Sequence, residues 1–397
     1  MKINSIFSPD LQQIFNIYNK DGDNLRIVGG AVRNFLLEKE IIDIDLATKF
    51  RISESIEILK KNKIHFIPTG IKHGTITALI NKKTFEITTL RSDKNCDGRF
   101  ADVEFITSYK EDAKRRDFTI NALFLDEKGQ IYDYFNGISD IKKGLIKFIN
   151  DPKVRIAEDY LRILRFFRFF CYYGKSLDFK SLKEAIKANQ NLIKLSADRV
   201  RNEFLKIISS KNNQNLLTTL KIFNKFNFSD ILFQNKLDIE SYQNLLSLEQ
   251  KLDKEFDINI KFFILLFKSE NLDKICQDLN FSNKDRYYIL SLKNYQIIDF
   301  SITKTDLIKL LYEFDQNLLI DLLKIRLILS KNTPNKDFLY LKKQILELHC
   351  PKFILNGHDL LEKGVKPKEI GKKLKKLQEI WIESNFQIQK SELLIYS

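Results

Sequence analysis

Hydrophobic positions follow two different patterns along the 397-residue chain, and the change lies near residue 150. Before it, short apolar runs alternate with polar residues as they do in β-strands, and nine of the 13 glycines fall there. The pattern predicts strands at 25–28, 41–47, 75–80, 85–90, 103–106, 123–125 and 131–134. Helical spacing between them predicts helices at 30–37, 53–62 and 109–115. A mixed sheet with a few helices is therefore expected.

From residue 151 onward, apolar residues recur at the three- and four-residue intervals of helices. Residues 155–173 are predicted to form one long apolar helix. Polar breaks near 211–215, 282–284 and 333–335 separate the helices that follow. The sequence thus predicts an α+β protein with a mixed-sheet head over residues 1–148. An all-α neck (149–215), body (216–300) and tail (301–397) follow it.

The net charge of the chain indicates a candidate binding partner. Lys and Arg outnumber Asp and Glu by 66 to 52, which gives a net charge of +14 and a pI of about 9.3. Proteins this basic often bind a polyanion, because each cation that neutralises a phosphate releases a condensed counterion. General solubility in a Lys-rich proteome is the alternative. The basic helix predicted at 368–376 is either a solvated face or a contact with an RNA backbone.

Cysteines and apolar runs bear on where the protein resides. The four cysteines lie far apart without the spacing of a zinc site or a disulfide framework, so reduced thiols are expected. The first residues lack the apolar core of a signal peptide. The strongest apolar run, 262–267, is far too short to cross a bilayer. We therefore expect a cytoplasmic protein without membrane contact, as a monomer or a homodimer.

The most informative pattern runs from Gly29-Gly30 through Arg33 to Asp43 and Asp45. The glycines lie where a predicted strand turns into a helix, so backbone amides there can approach a phosphate closely. Arg33, one turn into the helix, can reach the same phosphates. Asp43 and Asp45 are two apart on a predicted strand and should leave one face of it. Paired carboxylates suit Mg²⁺, which can bridge a triphosphate and an attacking hydroxyl.

Glu86 is the candidate for a third carboxylate at this site. It lies in the alternating run 85–90 and should face away from Phe85 and Ile87. In that position it could orient metal ions or help to deprotonate an incoming 3′ hydroxyl. An ordinary exposed strand glutamate is the alternative interpretation.

Four motifs between residues 29 and 204 follow one another in a characteristic order. They are Gly29-Gly30-Ala31-Val32-Arg33 with Asp43-Ile44-Asp45, Arg115-Arg116-Asp117-Phe118-Thr119-Ile120-Asn121-Ala122, Glu158-Asp159-Tyr160-Leu161-Arg162-Ile163-Leu164-Arg165, and Asp198-Arg199-Val200-Arg201-Asn202-Glu203-Phe204. Together they resemble the class II tRNA nucleotidyltransferase and bacterial poly(A) polymerase family of the polymerase-β superfamily. The resemblance spans roughly residues 25–385. It implies a head with a five-stranded sheet, followed by helical neck, body and tail.

The resemblance also implies roles for single residues. It implies that Gly30, Arg33 and Arg116 bind the nucleotide. It implies that Asp43 and Asp45 bind Mg²⁺. Asp117 is implied to begin the helix that positions Arg116. Without the resemblance, Arg116-Asp117 would be interpreted as a charge cluster at a helix entry, with Asp117 as the N-cap.

Asp159 and Arg162 are candidates for reading the base. Three residues apart on the predicted helix, they should point at one patch. An Arg donor beside an Asp acceptor fits the Watson–Crick edges of cytosine and adenine. Uracil and guanine would leave buried groups unpaired, at about 1–3 kcal/mol per group. The family selects C and A in this way without a nucleic-acid template, whereas a plain salt bridge is the alternative interpretation of the pair.

Arg165 and Arg168 continue the series along the same predicted helix. Each step of three residues drifts by roughly 60° around a helix, so Arg165 still points near the nucleotide. Arg168 lies about 180° from Asp159 on a straight helix, which would turn it away. The family pattern nevertheless places both arginines near the nucleotide.

Two further segments bear on the family assignment. Residues 92–102 are polar and interrupt the strand pattern. In CCA-adding members a flexible loop here helps the switch from C to A addition, so its presence favours complete CCA addition. Asn34 stands where many members have Asp. This exchange keeps the shape and loses a charge, and it should weaken no metal site.

The resemblance thus implies an enzyme that adds C, C and A to the 3′ end of tRNA from CTP and ATP by two-metal phosphoryl transfer. Its expected partners are tRNA, CTP, ATP and Mg²⁺. A poly(A) polymerase shares these motifs, but the basic extension and the insertion after Glu86 expected of one are not found. An RNA-binding protein with an inactive head is the third hypothesis, which the three candidate carboxylates oppose.

Overall fold

The computed structural model of the chain describes residues 6–71, 74–97, 100–330 and 335–397. Contacts between residues group the chain into two compact units. Unit 1 comprises Met1–Leu237 with Asp278–Asn280, and unit 2 comprises Asp238–Gln277 with Phe281–Ser397. The segment boundaries predicted near residues 148, 215 and 300 lie within these units and stay predictions.

Eleven described strands form one large sheet and two small ones. In chain order they are β1 (Leu25–Val28), β2 (Asp45–Thr48), β3 (His65–Gly70), β4 (Thr75–Ile80), β5 (Lys83–Thr89), β6 (Arg91–Asp97), β7 (Phe100–Phe105), β8 (Leu123–Leu125), β9 (Ile131–Asp133), β10 (Leu145–Ile146) and β11 (Ser176–Leu177). The large sheet has the order β3-β4-β5-β2-β1-β8-β9, so it contains seven strands where the resemblance implies five. β2 and β5 run parallel and the other neighbours antiparallel, which confirms a mixed sheet.

The helices of unit 1 cover the sheet and continue beyond it. They are α1 (Pro9–Tyr18), α2 (Gly30–Leu36), α3 (Ile52–Lys61), α4 (Tyr109–Arg115), α5 (Gly137–Lys143), α6 (Pro152–Glu158), α7 (Leu161–Tyr173), α8 (Phe179–Lys187), α9 (Ala197–Ile208), α10 (Asn213–Lys225) and α11 (Phe228–Phe233). Short 3₁₀ turns lie at Thr119–Asn121 and Asn189–Lys194. The α+β class predicted from the sequence is confirmed.

The segment 92–102 was wrongly predicted to interrupt the strand pattern. β6 and β7 pair antiparallel across it, with Arg91 opposite Phe105. A hairpin satisfies its backbone groups through the ladder, so a polar sequence does not exclude strands. Residues 98 and 99, which the sequence placed in this loop, lie outside the described residues.

The long helix predicted at 155–173 is also wrong, because the chain leaves helical conformation at Asp159. Asp159 has φ −155° and ψ 107°, which separates α6 from α7. The Asp159 carboxylate then accepts a hydrogen bond from the Leu161 backbone N–H at 3.1 Å, and α7 begins there. On α7, the aromatic side chains Phe166 and Phe167 are fully buried.

The centre of the sheet carries the core that supports the site. All four residues of β1 are buried. Val28, Ala47 and Phe124 from the adjacent strands β1, β2 and β8 pack in one cluster with Tyr109 of α4. Because β1 and β2 are antiparallel, the end of one lies beside the start of the other, and Val28 is paired with Asp45. The glycine turn after β1 and the acidic segment before β2 therefore share one end of the sheet.

The regular secondary structure in the described part of unit 2 is all helical. Its helices are α12 (Ile239–Leu252), α13 (Ile258–Leu266), α14 (Leu272–Asp278), α15 (Asn283–Ser291), α16 (Lys304–Glu313), α17 (Gln316–Leu329), α18 (Asn335–Glu347), α19 (Gly357–Glu362), α20 (Pro367–Glu383) and α21 (Lys390–Leu393). A cluster around Trp381, with Leu360 and Leu377, forms the core of its last part. None of the helices in the described ranges is long and apolar enough to cross a bilayer.

Candidate active site

The turn after β1 requires glycine at its first position. Gly29 has φ 72° and ψ −118°, a conformation that side chains strongly disfavour. Its N–H donates to the Leu123 carbonyl at 3.0 Å, and its carbonyl accepts from the Arg33 N–H at 3.0 Å. A Cβ at this position would lie 3.3 Å from Nη1 of Arg116. The glycine thus permits both the turn and the approach of an arginine to it.

We expect Gly29→Ala to lower the free energy of unfolding by about 1–3 kcal/mol, because alanine cannot adopt this backbone conformation without strain. Nucleotide binding should weaken as well, since the new methyl displaces Arg116. Urea unfolding and CTP titration measure the two effects. Gly371→Ala on α20 is the control, because outside the adjacent backbone of its own helix no atom lies within 4 Å of its Cβ position. That change should be neutral or stabilising by up to about 1 kcal/mol, and an equal loss in both variants would contradict the argument.

The three predicted carboxylates come from adjacent segments, although not all from strands. Asp45 is the first residue of β2, and Glu86 on β5 is its direct partner in the parallel ladder. Their side chains therefore leave the same face of the sheet. The prediction that Asp43 shares the strand with Asp45 is wrong, because residues 41–44 are not in a strand. Asp43 lies exposed in the loop that leads into β2.

The negative charges of Glu86 and Asp43 nevertheless act on Asp45. Asp45 is exposed to solvent at the end of the sheet, but the protein around it still removes water from its carboxylate and so raises its pKa. Repulsion from Glu86 and Asp43 raises the pKa further, against the lowering influence of Arg116. Within the described ranges, no group of three or more His, Cys, Asp or Glu side chains is arranged to hold a metal unaided. An open set of oxygen donors still fits Mg²⁺, which usually takes one or two carboxylates and completes its shell with phosphates and water. Repulsion that a cation would relieve supports this fit.

A cavity of about 840 Å³ opens beside Asp45. Nine Arg or Lys side chains and three Asp side chains line it, so its field is strongly positive. Eight of the ten predicted site residues line this cavity: Gly30, Arg33, Asp45, Arg116, Asp159, Arg162, Arg165 and Arg168. Asp43 and Glu86 do not line it. Its size and charge suit a nucleoside triphosphate.

Arg116 is positioned differently from the prediction. It is the C-cap residue directly after α4, and Asp117 follows in a bend rather than beginning a helix. Both Nε and Nη2 of Arg116 donate to Oδ2 of Asp112, at 3.1 and 3.0 Å. Asp117 instead accepts a hydrogen bond from Nε of Arg165 at 2.7 Å. Ion pairs, not a helix start, therefore orient this segment.

Asp159 and Arg162 do share the cavity, but not as an i,i+3 pair on one helix. Oδ2 of Asp159 accepts from Nη2 of Arg199 at 2.7 Å. Nη1 of Arg162 donates to the Arg155 carbonyl at 2.8 Å and to Oε2 of Glu158 at 2.5 Å. Each side chain is thus held by a different neighbour. The simple salt bridge weighed as an alternative is not formed.

Arg168 also lines the cavity, although a straight helix from Asp159 would turn it away. Because the helix is broken at Asp159, the angle of about 180° between Asp159 and Arg168 on a straight helix does not apply. Nε of Arg168 lies 2.7 Å from Oε2 of Glu203, a buried carboxylate of α9 that is 3.9 Å from Arg165. Glu203 of α9 therefore helps to hold Arg165 and Arg168 of α7 in position.

Known proteins with similar sequences identify the family to which this site belongs. A family model described as the Poly A polymerase head domain matches residues 25–147. The human protein named CCA tRNA nucleotidyltransferase 1, mitochondrial, is 35% identical over 432 residues, covering 99% of this chain and 90% of the relative. The CCA-adding enzyme of Lactobacillus helveticus is 30% identical and covers 91% of this chain and 89% of its own.

The chain belongs to the CCA tRNA nucleotidyltransferase family. It is accordingly a nucleotidyltransferase, of a family that generally uses divalent metal ions. The fold agrees with this membership. A crystal structure of the Bacillus stearothermophilus CCA-adding enzyme in complex with CTP superposes with a TM-score of 0.76 at 22% identity, covering 98% of this chain and 96% of the other.

Several residues that line the cavity or contact its arginines were not assigned a role from the sequence. Among them, Arg199 and Glu203 belong to the last of the four family motifs, so membership of that motif was the signal that could have found them. Asp112 and Tyr173 lie outside the motifs. Their partners Arg116 and Arg33 are 4 and 140 residues away along the chain. The second distance shows why the Tyr173 contact could not be inferred from spacing.

Proposed function

We propose that this chain adds C, C and A to the 3′ end of tRNA, using CTP and ATP. The observation that supports this most directly is that one cationic cavity joins Asp45, the Gly29-Gly30 turn and the Asp159–Arg162 region. One end supplies the acid for metal-assisted transfer and the other supplies groups that can read a base. The relatives named above are CCA-adding enzymes.

Asp43 and Asp45 are the proposed Mg²⁺ ligands, with Glu86 beside them. Mg²⁺, when bound, neutralises charge on the triphosphate and on the attacking 3′ oxygen. Arg33 and Arg116 bind the phosphates from the wall of the cavity, and the glycine turn lets the phosphates approach the backbone. Pyrophosphate is the leaving group. Positioning and charge stabilisation supply most of the catalysis in such transfers.

Base selection is proposed to rest on Asp159 and Arg162. The break before α7 leaves the Asp159 side chain partly exposed towards the cavity, and Arg199 orients its carboxylate. Nη2 of Arg162 makes only a long bond, 3.3 Å, to the Arg115 carbonyl, so it can be redirected to a base acceptor. A donor and an acceptor together fit cytosine and adenine, as the sequence suggests.

A purified sample incubated with tRNA that lacks its terminal CCA, Mg²⁺ and all four nucleotides tests the proposal. We expect the product to end in CCA and then to stop. Long A tails would favour the poly(A) polymerase alternative, which shares the motifs. Binding of tRNA without incorporation would favour an inactive RNA-binding protein. Cytoplasmic location is part of the proposal, although some relatives are named mitochondrial.

Asp159→Ala should lower kcat/KM for CTP and ATP by about 10- to 100-fold, because the base amines lose their acceptor. Discrimination against UTP and GTP should fall at the same time. Single-nucleotide incorporation with each of the four triphosphates measures both. Asp21→Ala, in an exposed turn, is the matched control and should change neither quantity. Unchanged selectivity in Asp159→Ala would remove Asp159 from base reading.

A further inference from the structure

Arg33 differs from the other arginines of the cavity in the kind of partner that it has. The residue is 6% exposed. Nη1 donates to Oδ1 of Asn121 at 2.5 Å, and Nη2 donates to the Tyr173 hydroxyl at 2.8 Å. Nε and Nη2 both donate to Oδ1 of Asn34, at 3.2 and 2.9 Å. All three acceptors are neutral.

The neighbouring arginines of the cavity, in contrast, have acidic partners. Each of five other arginines in the cavity wall lies within ion-pair distance of a carboxylate: Arg116 with Asp112, Arg162 with Glu158, Arg165 with Asp117, Arg168 with Glu203, and Arg199 with Asp159. Among the described residues, no carboxylate forms such a pair with Arg33. Asp117 reaches it only through Asn121, whose Nδ2 donates to Asp117 Oδ1 at 3.1 Å.

A buried guanidinium without an acidic partner carries a cost that an anion can relieve. Burial lowers the pKa of Arg33, and Arg168 nearby lowers it further, against the raising influences of Tyr173 and Asp117. The Tyr173 ring stacks on the guanidinium, with 4.0 Å between Cζ and the ring centroid, and so fixes its plane. Arg33 is thus held rigidly, beside the glycine turn, with its charge largely uncompensated.

Asn34 is the neighbour whose charge state determines whether the Arg33 guanidinium is neutralised. Its Oδ1 accepts from Arg33, and its Nδ2 donates to the Glu40 carbonyl at 2.9 Å. A carboxylate in the same place would keep the two acceptor contacts and turn them into a charge-assisted pair, which is roughly twice as strong. It would also lose the donor to Glu40. The amide is therefore the choice that orients Arg33 without neutralising it.

We propose that Asn34 sets the affinity of the cavity for triphosphates by keeping Arg33 free of an acidic partner. Asn34 is a positioning residue here, since it acts on the nucleotide through Arg33. The inference deepens the proposed function and rests on it for the identity of the ligand. It concerns the phosphates, so CTP and ATP should be affected alike.

Two variants at one position separate charge from hydrogen bonding. Asn34→Asp and Asn34→Ala both lose the donor to Glu40, and they differ in the negative charge placed beside Arg33. We expect Asn34→Asp to raise the Kd for inorganic tripolyphosphate about tenfold. Asn34→Ala should raise it by roughly two- to threefold, because Arg33 loses one anchor but no acid is added. Calorimetric titration in Mg²⁺ measures both directly.

Kinetics provide the second readout. In Asn34→Asp, KM for CTP and for ATP should rise together, whereas kcat and the KM for tRNA should change by less than about threefold. Equal losses in Asn34→Asp and Asn34→Ala, or a rise in KM for one nucleotide alone, would overturn the inference. Titration with tripolyphosphate does not need incorporation. A parent protein that binds it tightly but extends no tRNA would therefore refute the proposed function and leave this inference standing.

Discussion

Asp45→Asn is expected to lower the rate of nucleotide incorporation by about a thousandfold or more, while tRNA affinity stays within about twofold. The carboxylate is the first residue of β2 and lies beside Glu86 at the end of the sheet where the glycine turn begins. Asn keeps the shape and one oxygen, but it removes the charge that a divalent cation needs. The loss of a metal-held transition-state charge is worth several kcal/mol, and each 1.36 kcal/mol is a tenfold change in rate.

Single-turnover extension of tRNA lacking CCA measures the rate, and fluorescence anisotropy measures tRNA binding. Asp21→Asn is the matched control, since it makes the same chemical change in an exposed turn of the same unit. Asp43→Ala should be as severe as Asp45→Asn if both acids bind the metal. Activity within tenfold of the parent in either variant would contradict the metal assignment.

Protein stability offers an independent check on Asp45. Repulsion from Glu86 and Asp43 contributes to its raised pKa, so these acids destabilise each other in the folded protein without a cation. Asp45→Asn relieves that repulsion and should not lower the Tm. A loss of activity without a loss of stability is the behaviour of a functional residue that is not optimised for folding. A lower Tm would instead indicate a structural role.

The sequence was sufficient where a local pattern determines the conformation. Alternation and turn chemistry placed β1 at its observed bounds and the glycine turn directly after it. The apolar residues 41 and 42 extended the predicted strand too far, because they resemble the start of an alternating run. Ile42 is in fact 82% exposed in the loop before β2. Strand signals from short apolar runs cannot distinguish burial from loop exposure.

Long-range ion pairs explain what the sequence could not supply. Nothing local marks Asp159 as a helix break, since apolar spacing continues across it. The carboxylate that accepts from the Leu161 amide also binds Arg199, 40 residues later. Arg165 likewise depends on Asp117, 48 residues earlier. Each motif was therefore recognisable by itself, whereas the way in which they hold one another needed the fold.

Asp112 shows how folding and the site depend on the same contacts. Its side chain is 1% exposed. It accepts from Nε of Arg115 at 2.8 Å, from Arg116 at 3.0 Å and from the Arg91 backbone N–H at 3.3 Å. Asp112→Ala would leave two guanidinium groups and an amide without their acceptor. We expect the free energy of unfolding to fall by about 3–5 kcal/mol, as for other broken buried ion pairs.

Glu111→Ala is the matched control for this prediction, because the preceding residue on α4 is exposed and pairs with Lys114 at 3.7 Å. Such surface pairs contribute at most about 1 kcal/mol, so urea unfolding at neutral pH should separate the two variants clearly. The neighbouring arginines hold the pKa of Asp112 below its usual 3.8 despite burial. Its stabilisation is therefore complete above that pH and is lost as pH falls through the lowered folded-state pKa. The gap between parent and Asp112→Ala should accordingly narrow in acid. A gap that is small at neutral pH, or that widens below it, would show that Asp112 does not anchor Arg116.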